Sequence, residues 1–185
     1  MQDLETRELL MLITFNEDRK AFRSLYFYYY EAVYRFAKKF IRHEETAEEI
    51  VNDAFIKIWN NRKKLYTVNN FKVYLLVCVK NLCIKELEKN NKISIINIDD
   101  IEFEPYDDQV QTDTFLLLSE MQQYIHTLTN QLTPQSKLVF ELIREEGLKH
   151  REVAELLNIS VKTVEYHLAN ALRKIAEGLS ALSKK

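Results

Sequence analysis

The chain has very little that breaks a helix: 2 Gly and 2 Pro among 185 residues. Gly supplies left-handed turns and Pro ends helices, so a chain this poor in both is expected to be nearly all helix. Two glycines also nearly exclude a phosphate-cradling loop. Cysteine is equally scarce. Cys78 and Cys83 stand five apart, about 140° around a helix, so they neither pair nor chelate together and are expected as small core residues. No apolar run approaches the roughly 18 residues of a membrane span. The opening MQDLETRE lacks a signal-peptide core, which points to the cytoplasm. His43, His126, His150 and His167 are scattered without ligand spacing, so no metal site is expected. No Ser/His/Asp, Cys/His or paired-carboxylate constellation appears, and neither an enzyme nor a cofactor is expected.

What is present is an ordinary soluble composition, 46% hydrophobic and 29% charged, long enough for one large domain or two small ones. The net charge of −2 hides a segmentation. Residues 1–92 carry 17 Lys/Arg against 13 Asp/Glu, and residues 132–185 carry 9 against 7. Residues 93–131 hold 8 acids and no Lys or Arg. Two mildly basic lobes flank an acidic strip, a pattern expected of two nucleic-acid-facing domains and a linker that avoids nucleic acid.

The richest stretch runs from Gly147 to Lys174, GLKHREVAELLNISVKTVEYHLANALRK. It reads as two amphipathic helices over a three-residue turn, Asn158-Ile159-Ser160. The first buries Val153, Ala154 and Leu157, with the small Ala154 where helices cross closely. Asn158 tolerates a left-handed backbone, Ile159 plugs the corner, and Ser160 can cap the second helix. That helix buries Val164, Leu168, Ala171/Leu172 and Ile175 at helical spacing. The pattern is that of a helix-turn-helix, whose second helix is expected to enter the DNA major groove; a plain helical hairpin is the alternative.

Along the rest of the chain, a short helix is expected over Glu5–Thr14. Asn16 is expected to cap a long helix through about Ile41, in which Tyr28-Tyr29-Tyr30 cannot all be buried. Thr46-Ala47-Glu48-Glu49 reads as a capping box starting a third helix. Asn60 to Asn70 reads as a polar loop, and Phe71 to about Lys89 as a helix. Residues from about Asn90 to Gln111, with Pro105, lack periodicity and read as an extended linker. Helix returns near Thr112–Thr129. Thr133-Pro134 starts another, which ends at Gly147. The fold class is all-α, with domains at 1–92 and 114–185, a linker at 93–113, and a helix-turn-helix in the second domain.

Four segments in this order resemble the bacterial sigma factors of RNA polymerase, of the extracytoplasmic-function type. AFRSLYFYYYEAVYRFA (21–37) is similar to the family's opening helix, TAEEIVNDAFIKIW (46–59) to its polymerase-binding helix, and FKVYLLVCVKNLCIKEL (71–87) to its promoter-melting helix. LTPQSKLVFELIREEGLKHREVAELLNISVKTVEYHLANALRKI is similar to its C-terminal DNA-reading domain.

The resemblance implies a protein that binds core RNA polymerase, through its clamp helices and flap, and supplies promoter specificity without catalysing a reaction. Glu48, Glu49, Asn52, Asp53 and Lys57 would then meet the polymerase. Asn52-Asp53 stands where the family often has Gln-Glu, each one methylene shorter. The minus-ten element would be opened and held by Arg62, Lys63, Lys64, Tyr66, Asn69, Asn70, Lys72, Lys80, Asn81 and Lys85. Lysines replace the arginines of many relatives there, which favours phosphate contacts over base readout; for Lys72 and Lys80 a snorkelling surface lysine is the alternative. Lys162, Thr163, Glu165, Tyr166, His167 and Asn170 would face the minus-thirty-five element, with Ser160, Arg173 and Lys174 on phosphate. The acidic linker would thread a basic polymerase channel; a solvated tether is its plainer reading. Family members are commonly held inactive by an anti-sigma factor. No membrane insertion is expected, and the free protein is expected to be a monomer.

Two rival readings remain. SVKTVEYHLANAL also resembles the output domain of response regulators, but residues 1–92 show no strand–helix alternation for a receiver domain. A helical adaptor that binds only protein is opposed by the basic loop and by the outer face of the second helix.

Overall fold

The computed structural model describes residues 2–89 and 124–182. The chain divides into two compact units, Met1–Asn97 and Ile98–Lys185. Every described regular element is helical. The expected linker at 93–113, and the start of the helix expected near Thr112, lie outside the described residues.

In the first unit, α1 (Gln2–Asn16), α2 (Arg19–Lys38), α3 (Glu44–Asn60) and α4 (Phe71–Lys89) surround one core, with a 3-10 helix at Arg62–Thr67 between α3 and α4. Leu25, Val33 and Ala37 of α2, Val51, Ala54 and Ile58 of α3, and Leu75 and Val79 of α4 are fully buried. Successive positions lie three, four or eight residues apart along each helix, so one face of each turns inward. Tyr29 joins three helices: its hydroxyl hydrogen-bonds Thr6 Oγ1 of α1 at 3.0 Å, and its ring packs edge-on against Phe71 of α4 at 5.2 Å. Of the tyrosine run, Tyr28 is exposed, Tyr29 buried and Tyr30 half-buried.

The helix boundaries differ from expectation in three places. Asn16 ends α1 instead of capping α2. Glu17 takes a left-handed backbone, φ 50°, and Asp18 becomes the cap, its Oδ1 accepting the N–H groups of Lys20 at 2.7 Å and Ala21 at 3.1 Å. The helix α3 begins at Glu44, before the Thr46 box, with His43 as a cap that makes no side-chain bond. Glu44 and Glu45 stand in its first turn, where negative charge suits the helix dipole. The loop from Asn60 to Asn70 contains the 3-10 helix, pinned by the buried Leu65.

The second unit contains α5 (described over 124–129), α6 (Pro134–Arg144), α7 (His150–Leu157) and α8 (Val161–Leu182). Thr133 and Pro134 start α6 as expected. That helix ends at Arg144, and Gly147 supplies the left-handed residue that follows, φ 68°. Leu138, Leu142, Val153, Leu156, Leu157 and Val164 form the centre. A second cluster joins Leu128, Leu132, Ala171 and Ile175, with Tyr124, Phe140 and Leu179 against it. Gly178 lets α5 and α8 approach closely: a Cβ there would run into the Leu128 side chain, and the Tyr124 hydroxyl donates to the Gly178 carbonyl at 3.1 Å. Leu172, expected inside with Ala171, is 43% exposed; the buried stripe runs through Ala171 instead.

Candidate nucleic-acid interface

In the first unit, α3 presents Glu48, Glu49, Asn52, Asp53 and Lys57 to solvent. Ala47, Ile50, Val51, Ala54 and Ile58 alternate with them on the buried side, so packing fixes which way the polar face points. Beside that face lies a groove of about 520 Å³ between α2 and α3. Its walls are Arg19, Phe22, Tyr26, Asn52, Phe55, Ile56 and Trp59. Phe22 contacts Trp59 at 4.9 Å, and Tyr26 contacts Phe55 at 4.7 Å. Ile56 is 57% exposed at the rim. The Tyr26 hydroxyl donates to Asn52 Oδ1 at 2.9 Å and so orients the amide. Burial, and then the charge of Glu48, push the Tyr26 and Tyr30 phenols above their ordinary values. Sequence reasoning missed this groove. Its aromatic residues come from two helices, and no local spacing joins them.

The 3-10 segment carries Lys63, Lys64, Tyr66 and Asn69 on its exposed side. Arg62, expected to hold DNA, is committed inside the protein. Its guanidinium pairs with Glu17 at 2.8 Å, lies over the Trp59 ring at 4.8 Å, and donates to the Trp59 carbonyl at 3.0 Å. Its own carbonyl accepts the Thr14 hydroxyl at 3.0 Å. Asn70 is likewise structural: its Oδ1 accepts the Val73 N–H at 3.2 Å and caps α4, as an Asn before a helix does.

Along α4, Asn81 and Lys85 are exposed and Lys72 is half-buried. Lys80 is only 8% exposed, and burial pushes its ammonium below the ordinary lysine value. Lys80 is therefore not part of the exposed face of α4 on which the sequence placed it. The two cysteines behave as core residues: Cys83 is buried, with its thiol pushed up to about 12 by burial, and Cys78 is half-buried.

In the second unit the turn has the expected form. Asn158 is left-handed at φ 57°, ψ 43°. Ser160 Oγ accepts the Thr163 N–H at 3.0 Å and bonds the Thr163 hydroxyl at 2.7 Å. At the start of α7 the Glu152 carboxylate accepts the Lys149 N–H at 2.7 Å. On α8, Lys162, Glu165, Tyr166, Arg173 and Lys174 are exposed, Tyr166 by 64%. Thr163, His167 and Asn170 are half-buried. His167 Nδ1 meets Ser136 Oγ of α6 at 3.3 Å, so one of its ring nitrogens braces α8 on α6. Glu165 approaches His150 Nδ1 of α7 at 4.0 Å. Arg173 Nη2 donates weakly to Asn170 Oδ1 at 3.4 Å. Among the described residues no cluster could hold a metal ion.

One helical unit presents an acidic helix face near a basic, aromatic 3-10 segment, and the other is a helix-turn-helix with a polar outer face; together they define a two-part DNA-binding protein. The Sigma-70 region 2 model matches residues 25–93, and the Sigma-70, region 4 model matches residues 122–175. The chain belongs to the sigma-70 family of transcription initiation factors. Two solved structures share its all-helical fold. One is the sigma factor RpoE in complex with the anti-sigma factor NepR from Bartonella quintana. It is 18% identical, covering 87% of this chain and 98% of that one, at a TM-score of 0.58. The other is CnrH in complex with the cytosolic domain of CnrY. It is 20% identical, covering 96% of this chain and 98% of that one, at a TM-score of 0.57. No curated protein matches the chain.

Proposed function

We propose that the two units divide promoter recognition between them. The acidic face of α3, Glu48, Glu49, Asn52 and Asp53 with Lys57, docks on the clamp helices of core RNA polymerase. Charge complementarity there sets the rate and orientation of assembly more than raw affinity. Lys63, Lys64, Tyr66 and Asn69, followed by Lys72, Asn81 and Lys85 on α4, hold the opened minus-ten strand. Unpaired bases need stacking partners and positive charge, and the exposed residues of this segment offer both. The outer face of α8, from Lys162 to Asn170, reads the minus-thirty-five element, while Ser160, Arg173 and Lys174 hold phosphate. Arg62, Asn70 and Lys80 have no place in the DNA-binding set, because each is committed to or buried within the fold.

The observation that carries this reading is the exposed row of four polar residues on α3 in the region 2 unit. The factor contributes recognition and the polymerase contributes the chemistry. No described helix is long and apolar enough to cross a membrane, and the site of action is the cytoplasm. An anti-sigma factor is the proposed regulator, by analogy with the NepR complex. Purified chain mixed with core enzyme is expected to bind it and to start transcription from a restricted set of sites in a random promoter pool. Failure of both binding and specific initiation overturns the proposal.

A further inference from the structure

The 3-10 segment does not present its aromatic ring alone. Phe15, in the last turn of α1, lies against Tyr66 with ring centroids 5.8 Å apart and planes inclined at 40°. Both rings face solvent, Phe15 at 65% and Tyr66 at 58% exposure. An exposed phenylalanine at a helix end costs solubility, so two such rings in contact ask for an occupant. Their placement is fixed by the bonds that tie α1 to the 3-10 helix: the Thr14 hydroxyl to the Arg62 carbonyl, and Arg62 to Glu17. The pair is thus built before any ligand arrives. Lys63 and Lys64 are exposed beside Tyr66 in the same segment. Neither lysine is engaged by a carboxylate among the described residues, while the Glu17 charge is answered by Arg62.

The geometry points to Phe15 and Tyr66 as a two-ring platform for an unpaired nucleotide of the opened promoter strand, with Lys63 and Lys64 on its phosphates. The inference rests on the proposed strand-holding role of the 3-10 segment and adds a residue from a different helix to it. A base inserted between two rings needs about 7 Å, twice the ~3.4 Å rise of stacked bases. A spacing of 5.8 Å is too small, so the base stacks on the open faces and not between them. Stacking of this kind tolerates any base. The platform therefore contributes affinity for single strand, and sequence preference comes from elsewhere. The rival occupant is protein, because Leu4, Met11 and Phe15 form an exposed apolar stripe along α1. The adjacent lysines favour the nucleic acid.

The test uses holoenzyme assembled from core polymerase and the full chain. Its probe is a promoter fragment selected from a random pool by the wild-type holoenzyme, used as intact duplex and with a pre-opened bubble. Phe15→Ala is expected to weaken binding of the bubble by about 5- to 100-fold and to reduce permanganate reactivity of thymines in the duplex. Affinity for core polymerase should not change. Phe15→Tyr, which keeps a stacking face, restores both readouts. Phe15→Leu, which keeps the apolar contact without the π face, behaves as Phe15→Ala and decides the matter if the alanine variant folds poorly. Full strand affinity in Phe15→Leu overturns the platform, and so does a loss that is wholly accounted for by weaker core binding. If Tyr66→Ala with Lys63→Ala and Lys64→Ala weakens the strand while Phe15→Ala does not, the platform fails and the strand-holding role survives. If none of these changes weakens it, the strand-holding role fails as well.

Discussion

The guanidinium of Arg62 sits 2.8 Å from the Glu17 carboxylate, joining the residue that opens the 3-10 helix to the residue that breaks α1 from α2. The same group covers Trp59, so one side chain ties together the α1–α2 junction, the end of α3 and the start of the 3-10 helix. Arg62→Ala should therefore act on folding. Losing a charged hydrogen bond and a cation–π contact together is expected to cost about 1–3 kcal/mol, read by urea unfolding. Arg62→Lys should recover little of it, because an ammonium lacks the planar fork that spans both partners. A variant of normal stability that fails only in promoter opening would return Arg62 to the DNA surface.

The acidic face of α3 makes a separate prediction. Glu49→Lys combined with Asp53→Lys should weaken core-polymerase binding by roughly tenfold or more, and the remaining affinity should depend less on salt. The helix content seen by circular dichroism should be unchanged, since both residues are exposed. Unaltered affinity would remove this face from the interface.

Lys80 carries a pH prediction whose sign follows from its burial. Its folded pKa is depressed, so the folded state holds fewer protons than the unfolded chain between the depressed value and the ordinary 10.5. Stability then rises with pH through that window. Below it the penalty of keeping a buried ammonium is fully present, and it disappears as pH passes the unfolded value. Lys80→Met should stabilise the protein at neutral pH, with a gain that shrinks as pH approaches 10.5. Chemical denaturation at several pH values tests this. A destabilised Lys80→Met would mean that the charge is used within the fold.

On α8, Arg173→Ala should weaken binding to every DNA sequence alike and lower the salt slope by about 1. Tyr166→Ala, further toward the turn and exposed, should change the ranking of sequences instead. Fluorescence titrations at several salt concentrations with selected and scrambled fragments separate the two. A loss confined to one sequence in Arg173→Ala would show that it reads a base.

How much of this was legible depended on whether the signal was local. The helix-turn-helix was, because Asn158, Ser160 and the Val153/Ala154/Leu157 stripe act within a few residues of one another. The start of α2 was not. A left-handed Glu17 carries no sequence mark, and it moved the cap from Asn16 to Asp18. The Thr46 box was a true pattern overtaken by tertiary context, since α3 already begins at Glu44. A six-residue 3-10 helix is too short to show a period. The burial of Lys80, the commitment of Arg62 and the aromatic groove between α2 and α3 all depend on which helices meet. That information is spread over residues tens of positions apart.

The left-handed Asn158 has a consequence for binding. A single backbone torsion, already satisfied in the free protein, sets the direction in which α8 leaves α7. The recognition surface is therefore aimed before any promoter is met, and the ordering entropy of that turn is spent in folding and not at the groove. Substituting a residue that resists the left-handed region should blur the aim of α8 without removing any group that touches DNA.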